Sequence, residues 1–179
     1  MDYYRNADKQ RSNDVAGLYN SVINMPALAD GTEPVTLQEL KDWGKIEQDA
    51  DDALITALGK AARRVCEQYT GIGFLSRELT IGINNSNGGF ALPYGPVTVD
   101  PTGVNEDGTA IDLVYNVGQL QSPFGRMTVT YTGGYTALPE DLKTALKAQF
   151  LFMYENRGEG TRGLSPVAEM ILAPLRRVV

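Results

Sequence analysis

Histidine is missing from this 179-residue chain, cysteine and tryptophan occur once each, and no stretch approaches the ~20 consecutive apolar residues of a membrane-spanning helix. Each absence removes a class of function. Without histidine there is no His-based acid/base catalysis, no Ser-His-Asp triad and no His-containing metal site. With Cys66 alone, neither a disulfide framework nor a thiolate zinc site can be built. Cys66 falls in a helical apolar pattern, where a buried thiol is commonplace. The N-terminal MDYYRNADKQ lacks the apolar core of a signal peptide, so production in the cytoplasm without membrane contact is expected. A basic excess is missing too: 16 Lys and Arg stand against 22 Asp and Glu, a net charge of −6. That balance disfavours a protein whose main task is gripping nucleic acid. Residues 139–179 are the one mildly basic region, with six bases to five acids.

Phosphate-binding signatures are also lacking. There is no Walker-type loop, and Gly71-Ile72-Gly73 has no third glycine and follows a helical pattern, so helix termination is its expected role. The acidic pairs Asp51/Asp52 and Glu106/Asp107 lie at a helix start and in a turn, where each has a structural purpose. The acidic run Glu47 to Asp52 reads as solvated helix-start carboxylates, not a metal site. No catalytic residue, cofactor or metal is expected, and no enzyme.

What is present is helical pattern on either side of a stretch with period two. In LPEDLKTALKAQFLFMYENRG, Pro139 suits a first helical turn, and Glu140 and Asp141 complement the positive end of the helix dipole. Leu142, Ala145, Leu146, Gln149, Met153 and Arg157 recur at spacings of three and four, and Gly158 offers a stop. Phe150, Phe152 and Tyr154 extend apolar surface beyond that stripe, which marks them as candidate subunit contacts. Upstream, Thr36 with Glu39 predicts a capping box, with Val35 and Leu40 as its staple and Gly44 as the end of a short helix beside Trp43. A second long helix is expected from Asp49 to Gly71, with Asp49 as its cap. Its small residues Ala57, Ala61 and Ala62 would allow close approach to another helix, expected to be the one after Pro139. Ser165-Pro166 should open a last helix with Val167, Met170 and Ile171 as its inner face, and Pro174 should end or kink it.

Between the helical stretches, Leu79, Ile81 and Ile83, then Val97 and Val99, Ile111, Val114 and Tyr115, and finally Met127, Val129 and Tyr131 predict four or five short strands. Asp107-Gly108 is a hairpin turn between two of them. The fold class is therefore α+β, a small helical bundle in the order α-α-β-α-α with an inserted antiparallel β subdomain. The boundaries are an N-terminal arm over 1–34, a helical core over 35–73 and 138–175, the β insertion over 74–137, and a tail over 176–179. In the arm, Asp14 to Ile23 is a possible short helix.

Three stretches carry a family likeness: PVTLQELKDWGKIEQDADDALITALGKAARRVCEQYTG, LPYGPVTVD and MTVTYTGGYTALPEDLKTALKAQFLFMYENRG. Together, over roughly residues 34–175, they make the chain resemble the head-tail connector (adaptor) proteins of long-tailed bacteriophages and gene-transfer particles. The resemblance implies a structural virion protein at the head-tail junction: a ring, typically of twelve copies, bound beneath the portal. It would extend the DNA channel and carry the stopper or tail-completion protein. Genomic DNA would pass without sequence-specific binding, and an acidic chain suits a lumen that does not hold phosphate. Family members dock on the portal through the C-terminal segment, here Leu175, Arg176, Arg177, Val178 and Val179, with Arg162 in the preceding loop in support. Two other classes are weighed against it. A stopper-like component should be mostly β, and a DNA-packaging protein should carry a basic recognition helix.

Overall fold

The computed structural model describes residues 23–24, 32–85, 89–116, 118–121, 125–157 and 163–176. Among them are four α-helices and eight strands, all paired strands being antiparallel, so the protein is α+β. The described residues fall into two compact units. One holds Ile23–Asn24 with those of Arg77–Leu92 and Val97–Gly133; the other holds those of Ala27–Ser76, Pro93–Pro96 and Gly134–Val179.

The second unit is helical. Helix α1, Leu37–Gly44, starts as expected: the Thr36 hydroxyl accepts from the Glu39 N–H and the Glu39 carboxylate accepts from the Thr36 N–H. Lys45, in the left-handed region, closes it. Helix α2, Asp52–Thr70, begins two residues later than expected. Its N-cap position is Asp51, because Asp49 turns away to accept a hydrogen bond from Lys41 Nζ at 2.6 Å. Gly71 ends it with φ 67°. Helix α3, Glu140–Glu155, has Pro139 at its N-cap and buries Leu142, Ala145, Leu146, Gln149 and Phe150. It closes at Asn156, before Gly158, which lies outside the described residues.

Helix α4, Pro166–Leu172, is capped by Ser165, whose hydroxyl accepts from Ala168 N–H. Its inner face corrects the expectation. Ala168 and Leu172, one turn apart, are buried, and Ile171 packs partly against the core. Val167 and Met170 face outward, Met170 with 71% of its surface exposed. Spacing alone allowed either face of this short helix, and the smaller Ala168 took the crowded one. A 3-10 turn, Ala173–Leu175, follows.

The core joins all four helices through Val35, Leu40, Ile55, Ala62, Cys66, Phe150 and Leu172. Glycine is required at the base of this unit. Gly73 and Gly134 form a backbone knot in which Gly73 N–H donates to Gly95 O, Gly134 N–H to Pro96 O and Tyr135 N–H to Gly73 O. Gly134 has φ 108°, and a Cβ there would collide with the Leu75 carbonyl.

The first unit is all β. Strands β1 (Ile23–Asn24), β2 (Arg77–Asn85), β4 (Val97–Asn105), β5 (Ala110–Ile111) and β8 (Gly125–Gly133) form a sheet in the order β1-β2-β8-β4-β5. β3 (Gly89–Ala91), β6 (Val114–Asn116) and β7 (Gln119–Gln121) form a second sheet in the order β3-β7-β6. The period-two stretches land where expected: Leu79, Ile81, Ile83, Met127, Val129 and Tyr131 are buried, and Glu78, Thr80, Gly82, Arg126, Thr128, Thr130 and Thr132 between and beside them are not. Seven strands lie within residues 74–137 where four or five were expected, because strands of two or three residues leave almost no periodic signal. Gly108, φ 83°, makes the turn after β4, with Asp107 accepting from Thr109 N–H. The possible helix over Asp14–Ile23 lies outside the described residues except at Ile23, which pairs as a strand with Ile81.

Candidate functional site

The described side chains offer surfaces and structural clusters. No three potential ligating residues converge on a metal position among them, and no described helix is long and apolar enough to cross a membrane. Burial, aided by the nearby Glu67 carboxylate, pushes the Cys66 thiol up to about 12, which leaves it an inert core residue.

Among the described residues, the charged side chains buried in the helical unit, Lys41, Arg63 and Glu67, are all engaged. Arg63, on α2, donates through Nε to Glu33 at 2.7 Å and through Nη1 to Glu67 at 2.7 Å, with both Arg63 and Glu67 buried. Burial opposes the Arg63 charge, but the two carboxylates outweigh it and raise its pKa. Glu67 also accepts from Phe74 N–H, so one buried carboxylate fastens both the arginine and the exit from α2. The acidic run considered above serves as ion-pair and hydrogen-bond partners: Lys41 Nζ donates to Asp49 and Asp52, and Asp51 accepts from Tyr154 Oη at 2.6 Å and from Arg157 at 3.4 Å.

The three candidate subunit contacts on α3 separate. Phe150 is fully buried in its own chain's core, beneath Tyr154 at a ring distance of 5.9 Å. Phe152 and Tyr154 remain half-buried at the surface, with the Arg157 guanidinium over the Tyr154 ring. Of the candidate docking residues, Leu175 and Arg176 are exposed, and Arg176 lies over the Tyr69 ring at 5.4 Å. Arg162, Arg177, Val178 and Val179 lie outside the described residues.

A groove that the sequence did not reveal opens beside α1. It has a volume of about 390 Å³ and is lined by Pro34, Val35, Leu37, Leu40, Gly59 and Leu146, with Thr56 and Lys60 on the α2 wall. Gly59 forms part of its wall. An added Cβ there would lie 2.7 Å from Leu40 Cδ1, so a larger residue would push the end of the Leu40 side chain aside. A glycine in mid-helix, normally disfavoured by about 1 kcal/mol, was the one available signal.

Set against known proteins, the chain matches no protein-family model and no curated protein. Its fold does match solved structures. A chain from the neck of an empty gene transfer agent (GTA) particle, computed with C6 symmetry, superposes with a TM-score of 0.72 at 22% identity, covering 88% of this chain and 96% of that one. A chain from the virion of the native particle gives 0.68 at 23% identity, and one from the neck of the native particle, computed with C12 symmetry, gives 0.67 at 22%; both have the same coverage. The likeness is one of fold, and it spans the helical and the β units alike.

Proposed function

We propose that this protein is a structural component of the neck of a phage-like particle, acting as a ring-forming adaptor between the portal and the stopper or tail. The observation that carries the reading is the fold shared over 88% of the chain with neck components of such particles. Necks computed with C6 and C12 symmetry also favour a cyclic assembly. In a ring of more than two copies, each subunit offers two different complementary surfaces. Phe152 and Tyr154 are half-buried aromatics of the kind that anchor such contacts, with Phe150 supporting them from the core. Leu175, Arg176, Arg177, Val178 and Val179 are assigned to portal docking, with Arg162 in support. The net charge of −6 suits a channel through which DNA passes without adhering. Nothing in this role requires chemistry, and we assign no enzymatic activity.

The test is the mass of the purified protein, alone and mixed with the portal, by native mass spectrometry or light scattering. The expected result is a ring on the portal. Deleting residues 175–179 should abolish portal binding and leave the circular dichroism spectrum unchanged. A folded protein indifferent to the portal would refute the adaptor role.

A further inference from the structure

Three cations of the helical unit lie over aromatic rings, and two of them also answer to a carboxylate of their own chain. Arg157, over Tyr154, bonds Asp51 at 3.4 Å. Lys147, over Trp43, acts on the Glu39 carboxyl, which the Thr36 N–H chiefly holds below its ordinary 4.5. Arg176, over the Tyr69 ring at 5.4 Å, makes no ion pair among the described residues. It is the one of the three whose charge has no counterpart there.

Its position is nevertheless fixed from two sides. Leu172 just upstream is fully buried, and the 3-10 turn Ala173–Leu175, with φ of Pro174 set by its ring, closes as Arg176 N–H donates to Ala173 O at 3.3 Å. Beneath it, Tyr69 packs partly against the core in the last turn of α2, which has no basic residue of its own, so the negative end of that helix also favours the guanidinium. A guanidinium resting on a ring face keeps its in-plane fork of N–H donors available to a carboxylate. We infer that Tyr69 and Arg176 form an anchor for a carboxylate on the portal surface, with Tyr69 as the positioning residue and the exposed Leu175 as the apolar contact beside it.

This inference rests on the adaptor reading and deepens it, by naming the chemistry of the partner surface and by adding a residue of α2 to the tail. A phosphate of the passing DNA is the other acceptor that a guanidinium takes. Grips on DNA are built from several cations, whereas the residues around Arg176 in the chain are Ala173, Pro174, Leu175, Val178 and Val179, with Arg177 the one other base. Arginine and tyrosine together, beside an exposed aliphatic side chain, are instead the makings of a protein contact. An arginine held in place before docking loses less freedom on binding than a loose one, which is what the ring beneath it contributes.

The experiment measures the portal affinity of the full chain as the parent, as Arg176→Gln, Arg176→Lys and Tyr69→Leu, and with Tyr69→Leu and Arg176→Gln combined. Arg176 is exposed and leucine keeps apolar cover at position 69, so the variants should fold. Arg176→Gln should weaken binding roughly thirtyfold, the size of a hot-spot loss. Arg176→Lys should recover little of it, since the charge returns without the fork. Tyr69→Leu should weaken binding about twofold to fivefold, and add nothing once Arg176→Gln is present. Tighter binding by Tyr69→Leu would overturn the anchor, because the ring would then compete with the portal for Arg176. Full recovery by Arg176→Lys, or a Tyr69→Leu loss undiminished beside Arg176→Gln, overturns it too, as does Arg176-dependent binding of a short DNA duplex with portal affinity unmoved by Arg176→Gln. A parent that binds the portal while every variant binds equally removes this inference alone; a parent that ignores the portal removes the adaptor reading and the inference with it.

Discussion

The helical unit buries an ion pair, whereas the ion pair described in the β unit lies at the surface. Arg63 and Glu67 are 5% and 3% exposed in their side chains and bond each other at 2.7 Å, whereas the ion pair described in the β unit, Arg126 with Glu106, is 70% exposed on both sides at 3.4 Å. The apolar cores differ in the same sense. One joins residues far apart in sequence, from Val35 to Leu172, around buried polar groups; the other is built from alternating residues on paired strands. Burying an ion pair fixes one arrangement at the cost of intolerance to change, whereas a ladder with solvated edges tolerates substitution. The strands at the two ends of the five-stranded sheet, β1 and β5, are two residues long, and β4 carries register shifts around Val99 and an internal Pro101. Short, interrupted edges discourage strand addition by other chains. On this comparison, sensitivity should concentrate in the helical unit.

The largest effect should come from Gly134→Ala. Its φ of 108° and the collision of a Cβ with the Leu75 carbonyl should cost above about 5 kcal/mol, read as loss of the folded population in urea denaturation. A stability within about 1 kcal/mol of the parent would show that the knot at Gly73 and Gly134 yields easily. Next comes Arg63→Met, which strands two carboxylates, one of them buried, and should cost about 3–5 kcal/mol. Adding Glu67→Leu should recover much of that, since the buried charge goes with it. Arg126→Ala is the control in the other unit and should stay within about 0.5 kcal/mol. Equal losses from Arg63→Met and Arg126→Ala would break the comparison. Between them falls Thr36→Ala, about 1 kcal/mol for the lost cap of α1.

Most local signals in the sequence were read correctly and distant ones were not. The Thr36/Glu39 box, the Ser165 cap and the α3 stripe each depend on residues within about two turns, and each is present in the structure. Asp49 looked like a cap because the competing partner, Lys41, belongs to the previous helix. The outward turn of Val167 and Met170 depended on how α4 meets the core, which a seven-residue helix does not encode in its period. Phe150 was grouped with Phe152 and Tyr154 by hydrophobicity, yet α3's rotation places it fully inside. Phe152, Tyr154, Leu175 and Arg176 do reach the surface, whereas the groove was not legible in the sequence, since three helices meet to make it. The bond from Tyr154 to Asp51 spans 103 positions and has no local trace.

That bond supplies the finest test, a change in slope with pH. The Tyr154 hydroxyl, followed by Arg157, holds the Asp51 carboxyl below its ordinary 3.8, and Asp51 in turn raises the Tyr154 phenol above its ordinary 10.0. Asp51 therefore contributes stability that is complete above pH 3.8 and is lost as pH falls through its lowered folded value. Tyr154 contributes stability that is complete below pH 10 and is lost as pH rises through its raised folded value. Tyr154→Phe should flatten part of both limbs and leave the slope between pH 5 and 9 unchanged, measured as urea midpoints across the range. Lys41 and Lys143, also raised, keep a residual alkaline slope, and Arg157 keeps part of the acid one. In the β unit, Asp107 is held low by Thr109 within its own turn, so its share of the acid limb should survive the substitution intact. Identical limbs in the parent and in Tyr154→Phe would mean that the link between the start of α2 and the end of α3 carries no free energy in solution.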